Sequence, residues 1–205
     1  AIKAEKDQLI KEGKIKKEKP LPEITEDEVP FEIPENWCWV RLPELGELAR
    51  GKSKHRPRND NVLYENGCYP MIQTGDVARS NRYITTCTTF YNEVGLAQSR
   101  LWKKGTLCLT IAANIGDVAI LTFDACFPDS IVGFNAFLPI NSNKYFLYML
   151  SAYRYYLDNL SRSTAQKNIN LKILASIPIP LPPHNEQQRI VVAIEKALGK
   201  IEELE

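Results

Sequence analysis

Histidine is almost missing from this chain: His55 and His184 are the only two in 205 residues. The five cysteines, Cys38, Cys68, Cys87, Cys108 and Cys126, form no C-x-x-C pair. A zinc site is therefore not expected, and no other metal site is. An odd number of widely spaced thiols suits reduced, mostly buried cysteines in a cytoplasm rather than a disulfide frame. Long apolar runs are also lacking. The nearest, from Leu107 to Phe123, is broken by Asn114 and Asp117, and no basic-then-apolar leader opens the chain.

Catalytic signatures are scarce as well. With so few histidines, no Ser/His/Asp or Cys/His arrangement is legible. An amino-methyltransferase needs an Asp/Asn-Pro-Pro-aromatic tetrad and a glycine-rich cofactor turn. Here Leu181-Pro182-Pro183-His184 has leucine where the acid or amide belongs, and no such glycine fingerprint exists. A magnesium nuclease of the restriction type needs Pro-Asp followed by acid-x-Lys. Pro128-Asp129 is present, but Ser142 stands where the acid before Lys144 is required. No catalytic residue is assigned, and no cofactor is expected on this chain.

What is present begins with charge. The net charge is only +1, but it is unevenly spread. Residues 1–36 hold 7 Lys/Arg and 10 Asp/Glu, residues 37–180 hold 16 and 10, and residues 181–205 hold 3 and 5. A basic centre between acidic flanks is the pattern of a nucleic-acid-binding module. Hydrophobic content of 44% supports a real core, and the length suits one domain with appendages.

Along the chain, residues 1–17 lack proline and place Ile2 and Leu9 one heptad apart, the end of a helix with Gly13 near its stop. Pro20, Pro22, Pro30 and Pro34 among acids then make residues 20–36 an extended linker. The domain proper, 37–181, begins at Trp37, Trp39 and Val40. Short apolar runs at Tyr69–Ile72, Leu107–Ile111, Val118–Phe123, Ile131–Leu138 and Ile177–Leu181 read as strands, separated by turn residues. Lys144–Leu160 reads as one internal helix. After Pro182-Pro183, residues 182–205 read as a further helix with Asn185 as its N-cap and Glu186 in the positive first turn. Ile190, Ile194, Ala197, Ile201 and Leu204 follow at coiled-coil spacing and seek a partner. The expected fold is α+β: a twisted, mainly antiparallel sheet, one packed internal helix, and coiled-coil-type arms at both ends.

Three segments carry polar chemistry. Arg50–Asp60, RGKSKHRPRND, places five Arg or Lys within nine residues. Lys52, Lys54, His55, Arg56 and Arg58 suit a polyanion, which relieves their mutual repulsion by counterion release, and an arginine can fork onto a guanine edge. In isolation such a loop reads first as a solvated surface. The second segment, YPMIQTGDVARSNRY, offers Gln73, Thr74, Arg79, Asn81 and Arg82; Gln and Asn match adenine, Arg matches guanine. Asp76 reads as a turn former. The third, SRSTAQKNINL, offers Ser163, Thr164, Gln166, Lys167 and Asn168, although a helix-terminating loop looks similar. Tyr153, Tyr155 and Tyr156 read as core.

These pieces, together with the lead-in AEKDQLIKEGKIKKEKPLPEITEDEVPFEIPENWCWVRL, LCLTIAANIGDVAI, CFPDSIVGFNAFLPI and the closing IPIPLPPHNEQQRIV, resemble the specificity (S) subunit of type I restriction–modification enzymes. The resemblance covers nearly the whole chain. It implies a non-catalytic domain that reads half of a bipartite site in double-stranded DNA. Two such domains are held apart by conserved helices that set the spacing and dock the methyltransferase (M) subunits. S-adenosylmethionine is then expected on the M subunit, and cleavage on the restriction (R) subunit. Residues 1–19 would be the end of one conserved spacer helix and 182–205 the start of another. One recognition domain instead of two points to a fragment or a half-subunit, completed by a second half or a second copy through the helical arms. The rival reading is a protein-interaction and assembly module whose basic loop only solubilises.

Overall fold

The computed structural model describes residues 2–13, 15, 21–137, 143–163 and 169–204. Its centre is a five-stranded sheet built from β2 (Gly46–Arg50), β4 (Tyr83–Ile84), β6 (Leu107–Thr110), β7 (Val118–Leu121) and β8 (Ile131–Ala136), in the order β2-β8-β6-β7-β4. All pairs are antiparallel except β4 with β7, so the α+β expectation holds. Strand β6, Leu-Cys-Leu-Thr, is buried along its length. Alternation sends Leu107 and Leu109 into one core and Cys108 into another. The sheet is thus covered on both faces.

On the back face lie α5 (Asn143–Ala152), α6 (Arg154–Ser163), α7 (Leu171–Ser176) and the long α8 (His184–Glu202). Phe146, Leu147, Leu150, Leu157, Leu174 and Val191 join Val132 and Phe134 in the larger core. Tyr145, Phe146, Leu147, Met149 and Leu150 are all buried, because α5 is wedged between the sheet and α8. The single helix expected over 144–160 is instead two, broken at Tyr153. Of the tyrosines read as core, Tyr155 is 77% exposed and Tyr156 is also exposed; only Tyr153 is half-buried.

On the front face, α3 (Thr74–Arg79) inserts Val77 beside Trp102, Phe127 and Ile131. Trp102 stacks on Phe127 at 4.9 Å, over Gly133, where a Cβ would come within 2.6 Å of the indole. A two-stranded ribbon, β3 (Tyr69–Pro70) with β5 (Phe90–Tyr91), and α4 (Glu93–Ala97) enclose a smaller core of Leu63, Met71, Tyr91 and Cys126. Strands β2, β4 and β5 carry no strong apolar run. Their pairing comes from neighbours distant in sequence.

The termini join at the back. Strand β1 (Cys38–Arg41) pairs antiparallel with β9 (Pro178–Leu181). Pro178 and Pro180 have no N–H to donate, which suits a ribbon with a neighbour on one side only. The short α2 (Leu42–Leu45) leads from β1 into β2, and Lys6 of α1 (Ile2–Lys11) donates to Pro43 O at 2.7 Å. The linker folds around Trp39, with Phe31 edge-on at 5.1 Å. Its Thr25 and Glu28 form a capping box on the 3-10 turn Glu26–Glu28. Helix α8 starts one residue before the expected cap. Pro183 is the N-cap, and its carbonyl accepts from Glu186 N–H and Gln187 N–H. Asn185 lies inside the first turn, which does hold Glu186.

Candidate nucleic-acid interface

The basic segment leaves the sheet where β2 ends. Gly51 is required there: a Cβ would stand 2.2 Å from Phe127 O. Gly51 N–H donates to Ile131 O and Lys52 N–H to Phe127 O, which clamps the loop base to the strand beside it. Beyond this point the loop is held by its own groups and by the residues that follow α4. Gln98 Oε1 accepts from Lys54 N–H at 2.6 Å and His55 N–H at 3.0 Å. Ser99 Oγ donates to Lys52 O at 2.8 Å. Arg56 Nη1 donates to Ser53 O and His55 O, both at 2.7 Å. His55 Nε2 meets Asp60 Oδ2 at 2.8 Å, and Asp60 caps the next turn through Val62 N–H. That hydrogen bond from His55, then the one from Val62 N–H, holds the Asp60 carboxyl below its usual range.

Five neighbouring basic residues therefore take different roles. Lys52 and Lys54 are exposed, and their ammonium groups have no partner among the described residues. Arg56 is a loop brace, and His55 is tied to Asp60. Arg58 Nη2 pairs with Asp129 Oδ1 at 2.7 Å, both side chains 45% exposed.

Arg58 also lines a cleft of about 560 Å³ with Asn59, Gln73, Thr74 and Ser130, above Tyr64 and Tyr91. The topology thus brings the first two polar segments together: loop 50–60 forms one wall and the start of α3 another. Burial, and after it the neighbouring Tyr91, push the Tyr64 hydroxyl up to about 12, so it stays protonated and donates to Arg58 O. Arg79 and Asn81 line a separate cleft of about 400 Å³ at the other end of α3. There Arg79 pairs with Asp76 at 2.8 Å but remains 75% exposed. Asp76 also accepts from Gln73 N–H at 2.8 Å, a turn-stabilising role in keeping with the sequence.

Arg82 does not join these residues. It pairs with Glu202 of α8 and so links β4 to the C-terminal helix. Of the third segment, Ser163 ends α6, and Thr164, Gln166, Lys167 and Asn168 lie outside the described residues. The segment's exit is placed: Ile169 N–H donates to Ile111 O, and Ile111 N–H to Ser130 O. Ile169 therefore sits at the same end of the sheet as the cleft.

Among the seam residues of α8, Ile190 and Ile194 are half-buried and Ile190 packs on the back core. Ala197, Ile201 and Leu204 lie farther out, with Ala197 and Ile201 exposed and Leu204 at 87%. The residues of α8 buried against the domain are Gln187 and Val191, beside the seam read in the sequence.

Sequence reasoning missed Asn59, Ser53 and Ser130 as cleft residues, and Gln98 as the support of the loop. Asn59 was within reach, inside the basic motif. Gln98 lies more than 40 residues from the loop it holds and gave no signal.

No described helix is long and apolar enough to cross a membrane. Comparison with known proteins supplies the relationship. Over its full length the chain is 28% identical to 35% of the EcoAI specificity subunit, a type I restriction enzyme component of Escherichia coli. Over 84% of its length it is 33% identical to 38% of the putative MjaX specificity subunit of Methanocaldococcus jannaschii. The chain spans about a third of the length of these relatives. Among solved structures, the HsdS subunit from Thermoanaerobacter tengcongensis matches with a TM-score of 0.66 and 22% identity, over 85% of this chain and 40% of that one. A chain from a type I R-M system, solved to explain complex assembly and conformational transition, matches at 0.65 and 21%, over 98% and 47%. These two show a shared fold. Residues 34–205 match the family described as the type I restriction modification DNA specificity domain, and the chain belongs to that family.

Proposed function

We propose that this chain is a non-catalytic DNA-reading module of a type I restriction–modification specificity subunit, acting in the cytoplasm on double-stranded DNA. Lys52 and Lys54 neutralise phosphates. Arg58, Gln73 and Thr74 face one stretch of groove, and Arg79 and Asn81 face the next. Ser163, Thr164, Gln166, Lys167 and Asn168 are assigned to DNA contact on their chemistry alone, as hydroxyl, amide and ammonium groups suited to phosphate and base edges. The supporting observation is the pinned loop: a solubilising loop needs no Gln98, Ser99, Arg56 and Asp60 to fix its course, whereas a reader does, since preorganisation lowers the cost of binding.

The helices at the back carry assembly. Ala197, Ile201 and Leu204 continue a seam begun by Ile190 and Ile194, and they would pair with a second half-subunit or a second copy. The M and R subunits supply S-adenosylmethionine-dependent methylation and cleavage. A two-fold pair of readers would favour an interrupted palindrome. Sedimentation that finds only monomer at roughly 10 µM, a free energy near −7 kcal/mol, would remove self-pairing.

The direct test is methylome mapping in cells with and without this gene. One sequence motif should lose methylation when the gene is deleted. An unchanged methylome, with partner subunits still co-purifying but no retention on specific-site DNA, would favour an assembly module instead.

A further inference from the structure

The cleft beneath the basic loop contains hydrogen-bonding capacity that the free protein does not use. Ser53 is 5% exposed and Tyr91 fully buried. Both line the cleft. The Tyr91 hydroxyl has the Tyr64 hydroxyl beside it, and Tyr64 gives its own proton to Arg58 O. Ser53 Oγ, buried at the same floor, has no hydrogen-bond partner among the described residues. Leaving such a group unpaired carries a real cost. Above this floor, two exposed carboxamides, Asn59 and Gln73, come from separate walls. Arg58 and Asp129 hold each other beside them.

We propose that this cleft is a single-base reading site, taking the major-groove edge of one base pair between Asn59 and Gln73. The inference rests on the DNA-reading function above and deepens it. A carboxamide presents a donor and an acceptor side by side, matching the N6 and N7 positions of adenine. Two carboxamides converging on one cleft favour an A·T pair over G·C. The base edge displaces Arg58 from Asp129, while the pinned loop keeps the free Ser53 Oγ at the floor to complete its hydrogen bond on binding. Ser53 is then a specificity-determining residue, set at the floor where loop chemistry alone would not place it.

The test is selection of bound duplexes from a randomised DNA pool by the full chain, followed by sequencing, for the wild type and for Asn59→Ala, Gln73→Ala and Ser53→Ala. Asn59→Ala and Gln73→Ala should relax preference at the same single position, by roughly 5- to 150-fold, the range of one bidentate base contact. Their double variant should lose little more than either alone, because both act on one base. Ser53→Ala gives the sharper readout. Its melting temperature should be unchanged or higher, since an unpaired buried hydroxyl is removed, while enrichment at that same position falls. Relaxation at two different positions, uniform weakening across all sequences, or an unaltered profile for Ser53→Ala would overturn the single-base site while leaving DNA reading intact. A wild-type chain that enriches no sequence would overturn both.

Discussion

Two buried polar sites, one on each side of the central sheet, are built to opposite rules. At the back, Arg41 is only 2% exposed and every arm of its guanidinium is occupied. Nε donates to Pro22 O at 3.2 Å, Nη1 to Ser176 O, and Nη2 to Glu23 O and the Glu28 carboxylate. One side chain thus ties the linker, β1 and the end of α7 into a rigid base for the arms. At the front, the cleft below the basic loop leaves Ser53 Oγ unpaired among the described residues and its lysines facing solvent. A buried cation with a partner on every nitrogen stabilises the fold. A cluster with unused donors keeps that capacity for something that arrives. The contrast separates the part that holds position from the part that meets the ligand.

The comparison breaks most visibly at Arg41. Arg41→Ala strips several charge-assisted hydrogen bonds from a buried site and should cost about 3 kcal/mol in urea unfolding. Arg58→Ala, on an exposed pair, should change stability by no more than about 0.5 kcal/mol. If both proved equally tolerated, the back would not be the rigid half. Gln98→Ala comes next. It removes the acceptor shared by Lys54 N–H and His55 N–H, so about 1 kcal/mol of stability should go. Specific DNA affinity should fall further than that, because the loop must then be ordered on binding. Lys52→Ala with Lys54→Ala should leave the melting temperature unchanged. Its effect should appear as a shallower dependence of log affinity on log salt, by about one unit for each phosphate no longer neutralised. An unchanged slope would show that these lysines are only solvated.

The smallest effect concerns pH. Asp60 is held below its ordinary carboxyl range by the His55 hydrogen bond. Its contribution is therefore fully present above the ordinary carboxylate value and disappears as pH falls through the lower folded value. Asp60→Asn should flatten that acid limb in a loop-sensitive readout such as amide exchange at Val62, whose N–H the carboxylate accepts. Parallel acid limbs for Asp60→Asn and the wild type would show that Asp60 does not set the loop's acid sensitivity.

Much of this architecture was legible in the residues. Strands β6, β7 and β8 were expected because their apolar runs are continuous, as a sheet buried on both faces demands, and β9 because its proline-punctuated run is apolar throughout. Strands β2, β4 and β5 were not, because polar or two-residue strands draw their pairing from partners elsewhere in the chain. The basic loop and the start of α3 were picked out by composition. That they share one cleft while Arg79 and Asn81 face another was invisible, since α3 displays its residues at its two ends and only packing of Val77 on the sheet sets its direction.

Residue types and their local order determined the positive centre, the acidic proline-bound linker, the apolar seam and the family, because these need only neighbours a few positions apart. Tertiary structure alone decided which cations are free. Arg56 became a brace, Arg58 an ion-pair partner of Asp129, and Arg82 a tie to Glu202, while Lys52 and Lys54 kept their charge in solvent. A charge is a property of one side chain, but its availability depends on what the fold sets within about 3 Å of it, and those partners come mostly from distant parts of the chain.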